Sequence, residues 1–381
     1  MIPDPYIPEQ VVDPDDFVGR SEEIEKFETF LDFSIKGKPR NIAIIGEWGI
    51  GKTALLRKFE DIATRKNSPS ARFDVRKDMN LLEFQQRLLL EVKTALSLHE
   101  KLSAKARDFL SGFDVSMGYA GVSVKKIGDQ TIDFRQKLLE MWGGLKDSIP
   151  AVLVMLDNAE GLKQISGANE ELRNTFQRLS EYDCRYVLII AGKPDLFAGI
   201  TSIYEPFARF FNFIELKPFS YEETKDAIEK PLENIHNLKF EQDAIEEIYR
   251  ISEGHPFIVR SMCSTIYIAM RGEGVIDRST VERFVPRILY DLGKKVFSDR
   301  FAQASPVEQR ILISMASFSG DDLNYSDIAE MSGTSKKKMG TYLSRLTEKD
   351  LIRKVERGQY ELFHPLFKEY LKKFVVGSGS L

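Results

Sequence analysis

The stretch that most constrains the fold is "GEWGIGKTALL", Gly46 to Leu56. It follows the apolar run "NIAII" (41–45) and has the spacing G-x-x-x-x-G-K-[ST] of a phosphate-binding loop between a strand and a helix. Glycines there let backbone N–H groups turn toward an anion, and the helix N-terminus adds partial positive charge. The pattern predicts a nucleotide site whose contact residues are Gly46, Gly49, Ile50, Gly51, Lys52, Thr53 and Ala54.

Two side chains of the loop and one acid elsewhere have predicted roles in this site. Lys52 is expected to bridge the β- and γ-phosphates, and the Thr53 hydroxyl is expected to bind Mg²⁺. Asp157 directly follows the apolar run "AVLVML" (151–156), so its carboxylate is expected at a strand end, where it can hold the same ion. The sequence therefore predicts Mg²⁺ held by Thr53 and Asp157.

Hydrolysis would also require a group that positions the attacking water. Asn158, directly after Asp157, can orient a water but cannot accept its proton. Glu160 and Glu47 are acids near enough in sequence to serve as a base, or they are simply solvated. The catalytic prediction therefore comprises Lys52, Asp157, Asn158 and Glu160, with slow turnover unless a partner completes the site.

Five short apolar runs alternate with helical patterns, which predicts an α/β fold with a parallel sheet flanked by helices. The runs are "NIAII" (41–45), "ARFDV" (71–75), "AVLVML" (151–156), "YVLII" (186–190) and "FNFIEL" (211–216). Between the second and third, a helix is expected near Leu81–Leu98. The alternation in "FDVSMGYAGVSVKKI" then predicts a β-hairpin at about 113–127 with Tyr119 near its tip. The hairpin is either an edge sheet over the core or a protruding contact element.

The pattern becomes helical from Ser220, where Ser220 and Glu223 form a capping box, and Pro256 suits the first turn of a later helix. From about Ser305, three helical segments precede the strands "LIRKV" and "QYELF", an order typical of a winged helix-turn-helix. The predicted domains are an N-terminal extension (1–16), a P-loop core (17–218), a helical lid (219–292), a winged helix (296–375) and a flexible tail (376–381).

Composition limits the environment and the partners. No apolar run approaches the roughly 20 residues of a membrane helix, and the two cysteines, Cys184 and Cys263, lie far apart. These features predict a cytoplasmic protein with reduced thiols. The net charge is −4, yet residues 333–357 hold eight Lys or Arg against three acids, a local balance of +5. Such a basic island indicates either nucleic-acid binding or a solvated helix face.

Several motifs together resemble those of the AAA+/STAND-type P-loop ATPases of the archaeal ATPase family, whose relatives include archaeal replication initiators and transposition regulator ATPases. The motifs are "FVGRSEEIEKFETFL", the phosphate loop, "LDNAE", "IIAGKPDLF", "IELKPFSYEE" and "EGHPF". The resemblance extends from about Phe17 to Phe374. It implies an ATPase that binds ATP or ADP with Mg²⁺.

The resemblance also implies functions for single residues. Phe17, Val18 and Gly19 match the segment that packs on adenine, and Pro256 matches a proline near the base. Arg209 falls where AAA+ proteins often place a finger arginine that completes the site of a neighbouring subunit, or it makes a local ion pair. His364 matches a histidine that contacts bound ADP in the closed state of STAND switches, or it is a histidine satisfied within the fold.

Three functions remain open at this stage, the third being a housekeeping ATPase whose winged helix serves only for packing. The first is a nucleotide-controlled switch that binds double-stranded DNA with weak sequence preference. Its predicted DNA contacts are Lys336, Lys337, Lys338, Thr341, Arg345 and Arg353. The second is a signalling switch in which the winged helix is an ADP-dependent latch and the partner is a protein or a second copy. We favour the first because the basic island coincides with the predicted recognition helix.

Overall fold

A five-stranded parallel sheet forms from the five apolar runs in the computed structural model. Its strands are Ile42–Ile45 (β1), Ser70–Asp74 (β2), Val152–Asp157 (β3), Tyr186–Gly192 (β4) and Asn212–Glu215 (β5), in the order β2-β3-β4-β1-β5. The structure describes residues 4–113, 115, 134–194, 196, 209–318, 320 and 323–376. The prediction of a parallel sheet flanked by helices is confirmed.

Both faces of the sheet are covered, because successive strand residues point to opposite sides. Val154 and Leu188 belong to one buried cluster, while Met155 and Ile189 belong to another on the opposite face. The helices that accompany these strands are Ser21–Ile35 (α1), Lys52–Arg65 (α2), Leu81–Ser97 (α3), Ala104–Gly112 (α4), Phe134–Leu145 (α5) and Ala168–Glu181 (α6). Because β2 and β3 are parallel neighbours, their carboxyl ends lie at the same edge of the sheet.

The region between β2 and β3 differs from its prediction. The helix expected near Leu81–Leu98 is present as α3, but α4 and α5 were not predicted. Buried leucines and aromatic residues, such as Leu110 in α4 and Trp142 in α5, pack these two helices into the cluster that contains α3. The hairpin expected at 113–127, with Tyr119, falls outside the described residues except for 113 and 115.

The chain divides into two compact units. One unit, here called the sheet unit, is Val11–Lys217; the other, here called the helical unit, is Met1–Gln10 together with Pro218–Leu381. The helical unit begins with Tyr221–Glu229 (α7), Gln242–Ser252 (α8), Pro256–Ala269 (α9) and Arg278–Leu292 (α10), with a parallel pair of strands, Leu238–Phe240 (β6) and Gly274–Ile276 (β7). Both bonds of the capping box predicted at Ser220 and Glu223 are present at the start of α7.

The remainder of the helical unit has the element order expected of a winged helix. Its elements are Ser298–Ala302 (α11), Pro306–Ser317 (α12), Leu323–Asn324 (β8), Tyr325–Met331 (α13), Lys336–Glu348 (α14), Ile352–Glu356 (β9), Gln359–Leu362 (β10) and Pro365–Tyr370 (α15). β8, β10 and β9 form an antiparallel sheet in that order. The hairpin β9-β10 was predicted; β8 was not, because two residues carry no readable alternation. None of the described helices is long and apolar enough to cross a bilayer.

The N-terminal segment packs within the helical unit, although its continuation belongs to the sheet unit. The Tyr6 side chain is fully buried, and its hydroxyl donates to the Ile228 carbonyl at 2.6 Å. Nε of Arg260, on α9, donates to the Tyr6 carbonyl at 2.7 Å. The sheet unit is therefore inserted in sequence between two parts of the helical unit.

Candidate nucleotide-binding site

The phosphate loop joins β1 to α2, as predicted, and its shape explains its glycines. Gly51 has φ +102° and precedes α2 directly, a conformation that L side chains rarely adopt. At Gly46, an added Cβ would lie 2.6 Å from Cγ2 of Ile50 and 3.2 Å from Cβ of Leu216. Gly51 is thus required by its backbone conformation, and Gly46 is required by close packing.

The first turn of α2 brings two functional side chains to the loop and to β3. Nζ of Lys52 donates to the carbonyl oxygens of Gly46 and Glu47, each at 2.8 Å, which holds the ammonium group against the loop. The Thr53 hydroxyl donates to Oδ2 of Asp157 at 2.8 Å. Asp157 ends β3 and is only 7% exposed. The structure thus brings together the three residues to which the sequence assigns the phosphate and the metal.

The donors at the Thr53–Asp157 pair fit Mg²⁺, which prefers oxygen ligands and takes one or two protein carboxylates plus substrate phosphates. Among the described residues there is no cluster of three or more His, Cys, Asp or Glu that could hold a metal ion by itself. An ion at this pair would therefore need further oxygens from phosphate and water. This requirement fits a metal that enters with a nucleotide.

Two polar residues after Asp157 are held by the surrounding protein. Asn158 has φ +50°, and its Nδ2 donates to Oδ1 of Asp74 at 2.7 Å. Oε1 of Glu160 accepts the backbone N–H of Lys193, just beyond β4, at 2.6 Å. One Glu160 oxygen is thus engaged in anchoring a backbone segment. Its assignment as a catalytic base stays a prediction.

A cleft of about 580 Å³ opens beside the Thr53–Asp157 pair. Thr53, Asp157 and Asn158 line it together with Phe73, Asp74, Glu91 and four arginines, Arg57, Arg72, Arg76 and Arg87. Acids accompany several of these cations; for example, Arg87 lies 2.9 Å from Glu83. Sequence reasoning missed Asp74 and the arginines because no motif contains them. The one available signal for Asp74 is its position near the end of a predicted strand.

The segment before α1 is fastened to the phosphate loop by a residue that the sequence did not single out. Arg20 is buried, and its Nη2 donates to the Ile50 carbonyl at 3.2 Å. The residues predicted to pack on adenine, Phe17, Val18 and Gly19, come directly before it and are half-buried. Phe17 packs against the cluster that contains α1 and α2. These contacts place the predicted adenine segment beside the loop.

Two further predicted site residues, Arg209 and Pro256, belong to different units of the chain. Arg209 is exposed and precedes β5, so its predicted action on a neighbouring subunit is not tested by a single chain. Pro256 begins α9 and is buried in the helical unit.

His364 is buried in the helical unit, with 2% of its surface exposed. Its Nδ1 accepts the Leu366 N–H at 3.1 Å, which caps α15, and its Nε2 lies 3.0 Å from the Ser252 carbonyl at the end of α8. Because the Ser252 carbonyl only accepts, Nε2 carries a proton. Because Nδ1 accepts the Leu366 N–H, it carries none, and the ring is neutral. Burial lowers the pKa of His364 to about 4, although the bond to Ser252 opposes this shift.

We expect His364→Ala to lower the free energy of unfolding of the helical unit by about 2–4 kcal/mol, because it leaves a buried carbonyl and N–H unpaired beside a cavity. Between pH 6.5 and about 4, the unfolded chain binds a proton on His364 and the folded chain does not, so stability falls as pH falls. Urea unfolding at pH 7 and pH 5 should give wild type about 2 kcal/mol of pH dependence that the variant lacks. Equal pH dependence in both proteins would contradict this prediction.

The predicted recognition helix, α14, has one apolar and one basic face. Met339, Leu343 and Leu346 are fully buried. The side chains predicted to contact DNA are exposed on this helix: Lys336, Lys337, Lys338, Thr341 and Arg345. On β9, Arg353 instead lies 3.0 Å from Glu361 and 3.7 Å from Glu253. Its charge is therefore largely compensated, and the basic surface is concentrated on α14.

Comparison with known proteins yields two family matches and one relative of similar length. Residues 16–190 match the model of the AAA ATPase domain, and residues 294–371 match a domain of unknown function (DUF8462). The uncharacterized HTH-type transcriptional regulator MJ0774 of Methanocaldococcus jannaschii is 25% identical over 379 residues, covering 96% of this chain and 90% of that protein.

Solved structures of similar fold align with nearly the full length of this chain. The Walker-type ATPase PABY2304 of Pyrococcus abyssi has a TM-score of 0.66 at 18% identity, covering 97% of this chain and 99% of that chain. The Aeropyrum pernix ORC2 protein, in its ADPNP and ADP complexes, has a TM-score of 0.65 at 13% identity, covering 100% and 99%. Residues 16–190 thus match the AAA ATPase domain model, within a chain that has the P-loop ATPase fold of these two proteins.

Proposed function

We propose that this protein is a Mg²⁺-dependent ATPase that acts as a nucleotide-controlled DNA-binding protein. The observation that carries the proposal is the exposed basic face of α14 on the same chain as an AAA ATPase domain. In this proposal residues 17–218 are the ATPase core, 219–292 the lid and 296–375 the DNA-binding winged helix.

The sheet unit would hold the nucleotide through its loop. Backbone N–H groups of 46–51 would surround the phosphates, and Lys52 would exchange its two loop carbonyls for β- and γ-phosphate oxygens. Mg²⁺, held by Thr53 and Asp157, would neutralise charge on those phosphates when bound. Phe17 to Gly19 would contact the adenine. The ORC2 protein, which shares this fold, is described in complexes with ADPNP and ADP.

Turnover would be slow, because the residue directly after Asp157 is an asparagine and the nearby Glu160 already accepts a backbone hydrogen bond. Asn158 orients water without accepting its proton, and one oxygen of Glu160 is bound to the backbone at Lys193. Arg209 of a neighbouring copy would supply positive charge in the transition state, as finger arginines do. Self-association or another partner would therefore raise the hydrolysis rate.

The helical unit would bind DNA through α14. Its lysines would contact phosphates, which gives affinity with little sequence preference. The name of the M. jannaschii relative, an HTH-type transcriptional regulator, supports a DNA-binding function. The wing would add Lys354 and Arg357, which are exposed, rather than Arg353, which is paired with acids.

The geometry at His364 weighs against the alternative in which this residue grips ADP as a latch. A neutral imidazole has one donor and one acceptor. Both are used within the helical unit, by the Ser252 carbonyl and the Leu366 N–H. A direct bond from His364 to a nucleotide would require one of these bonds to break.

Fluorescence anisotropy with a labelled DNA duplex, at several salt concentrations and with MgATP or MgADP, tests the proposal. We expect log K to fall with log salt at a slope of roughly −3 to −4, as for about four phosphate contacts. The affinity should also differ between the two nucleotides. Absence of salt-sensitive binding in both nucleotide states would refute a DNA-binding function.

A further inference from the structure

Asp74 lies beside the predicted metal-binding acid although 83 positions separate the two in sequence. It is the last residue of β2, and the parallel register pairs it directly with Asp157, the last residue of β3. Carboxyl ends of neighbouring parallel strands form the edge at which α/β sheets bind ligands. A second carboxylate, which no motif includes, thus stands at the edge where Thr53 and Asp157 meet.

The contact between Asp74 and Asn158 fixes which way the Asn158 carboxamide faces. Nδ2 of Asn158 lies 2.7 Å from Oδ1 of Asp74. An ionised carboxylate only accepts hydrogen bonds, so the nitrogen arm must face Asp74. The oxygen arm, Oδ1, therefore points away from Asp74 as an acceptor.

The backbone of Asn158 is constrained as well. It adopts φ +50° and ψ +43°, a left-handed conformation that asparagine tolerates better than most residues other than glycine. Its N–H donates to Oδ1 of Asp157 at 3.0 Å. Asn158 and Asp74 both line the cleft that also contains Thr53 and Asp157. Asn158 is thus held by hydrogen bonds from its backbone N–H and from its side-chain Nδ2, next to the predicted metal-binding pair.

We propose that Asp74 is a positioning residue for ATP hydrolysis: it holds the Asn158 carboxamide so that Oδ1 accepts a hydrogen bond from the attacking water. The inference rests on the proposed function, because it requires the γ-phosphate to lie at this cleft. Asp74 thereby compensates for the absence of an acid directly after Asp157. A water positioned in this way needs no strong base, since phosphoryl transfer depends mainly on placement and charge stabilisation.

The step balances without a protein base. The water oxygen forms a bond to the γ-phosphorus while the bond from that phosphorus to the bridging oxygen breaks. ADP leaves with the bridging oxygen, and a proton of the water passes to an oxygen of the released phosphate. Asp74 and Asn158 keep their protonation states throughout.

Steady-state ATP hydrolysis and fluorescent-nucleotide binding on the full chain test this positioning with four variants. Asp74→Ala should lower kcat about 10- to 100-fold, while KM and nucleotide affinity change by no more than about twofold. Asp74→Asn should retain at least about a third of wild-type kcat, because its amide oxygen can accept the same bond from Asn158. Asp74→Ala combined with Asn158→Ala should be no slower than Asn158→Ala alone, since both act through one side chain.

Asp147→Ala, which removes an exposed acid elsewhere in the sheet unit, is the control and should hydrolyse ATP as wild type does. If Asp74→Asn is as slow as Asp74→Ala, the carboxylate itself takes the proton and positioning is overturned. Wild-type kcat in Asp74→Ala, with turnover present in wild type, overturns this inference alone. Absence of ATP turnover in wild type overturns both the inference and the proposed function.

Discussion

Lys52→Ala is expected to reduce ATP turnover by about 10²- to 10³-fold, the loss typical when one charged group that stabilises a transition state is removed. Nucleotide affinity should fall about 10- to 100-fold, because a hydrogen bond between charged partners contributes about 1.5–3 kcal/mol. The ammonium lies against the loop carbonyls of Gly46 and Glu47, where phosphates are expected. Titration with a fluorescent ATP analogue and a phosphate-release assay would measure the two effects.

Lys66→Ala is the matched control for this experiment. It makes the same charge change just beyond the far end of α2, about 20 Å from Lys52 at 1.5 Å per residue. We expect it to bind and hydrolyse ATP as wild type does. If Lys52→Ala remained folded with undiminished affinity and turnover, the loop would not be the phosphate site, and every assignment built on it would fail.

Reversing charge at the start of α14, with Lys336→Glu, Lys337→Glu and Lys338→Glu together, is expected to weaken DNA binding at least about 100-fold at 0.15 M salt. Three lost phosphate contacts account for about that factor through counterion release, and repulsion adds to it. The fold should persist, because these exposed positions are the first turn of a helix, where acids interact favourably with the helix dipole. Gel shift or anisotropy measures the loss.

A control with the same change in net charge separates a local effect from a general one. Lys38→Glu, Lys101→Glu and Lys105→Glu alter exposed lysines of the sheet unit and should leave DNA affinity within about threefold. The α14 variant should also bind ATP normally. Equal weakening in both triple variants would mean that net charge, rather than α14, governs the interaction.

The parts of the molecule that were predictable from the sequence are those set by local pattern. The five strands, the phosphate loop and the capping box at Ser220 each depend on residues within a few positions of one another, and all are present. α5 was missed although Phe134, Leu138, Met141 and Leu145 recur at helical spacing, because the alternation in 113–127 directed the interpretation of this region toward a hairpin; α4 was missed with it. Two-residue β8 has no pattern to detect.

Contacts between distant residues that belong to no recognised motif were not predictable. Asp74 joins Asn158 only through the register of β2 against β3, and His364 meets Ser252 across 112 positions. Arg20 reaches the Ile50 carbonyl from a segment whose motif drew attention to its neighbours instead. Such pairings follow from tertiary packing, on which a single sequence carries no direct signal.

The placement of residues 4–10 has a consequence for biosynthesis. Tyr6 leaves the ribosome well before its hydrogen-bond partners Ile228 and Arg260, which are made more than two hundred residues later. Because domains tend to fold as they emerge, residues 11–217 can fold while the N-terminal segment still awaits its neighbours. In that order of events, docking of the segment around Tyr6 is a late step in maturation.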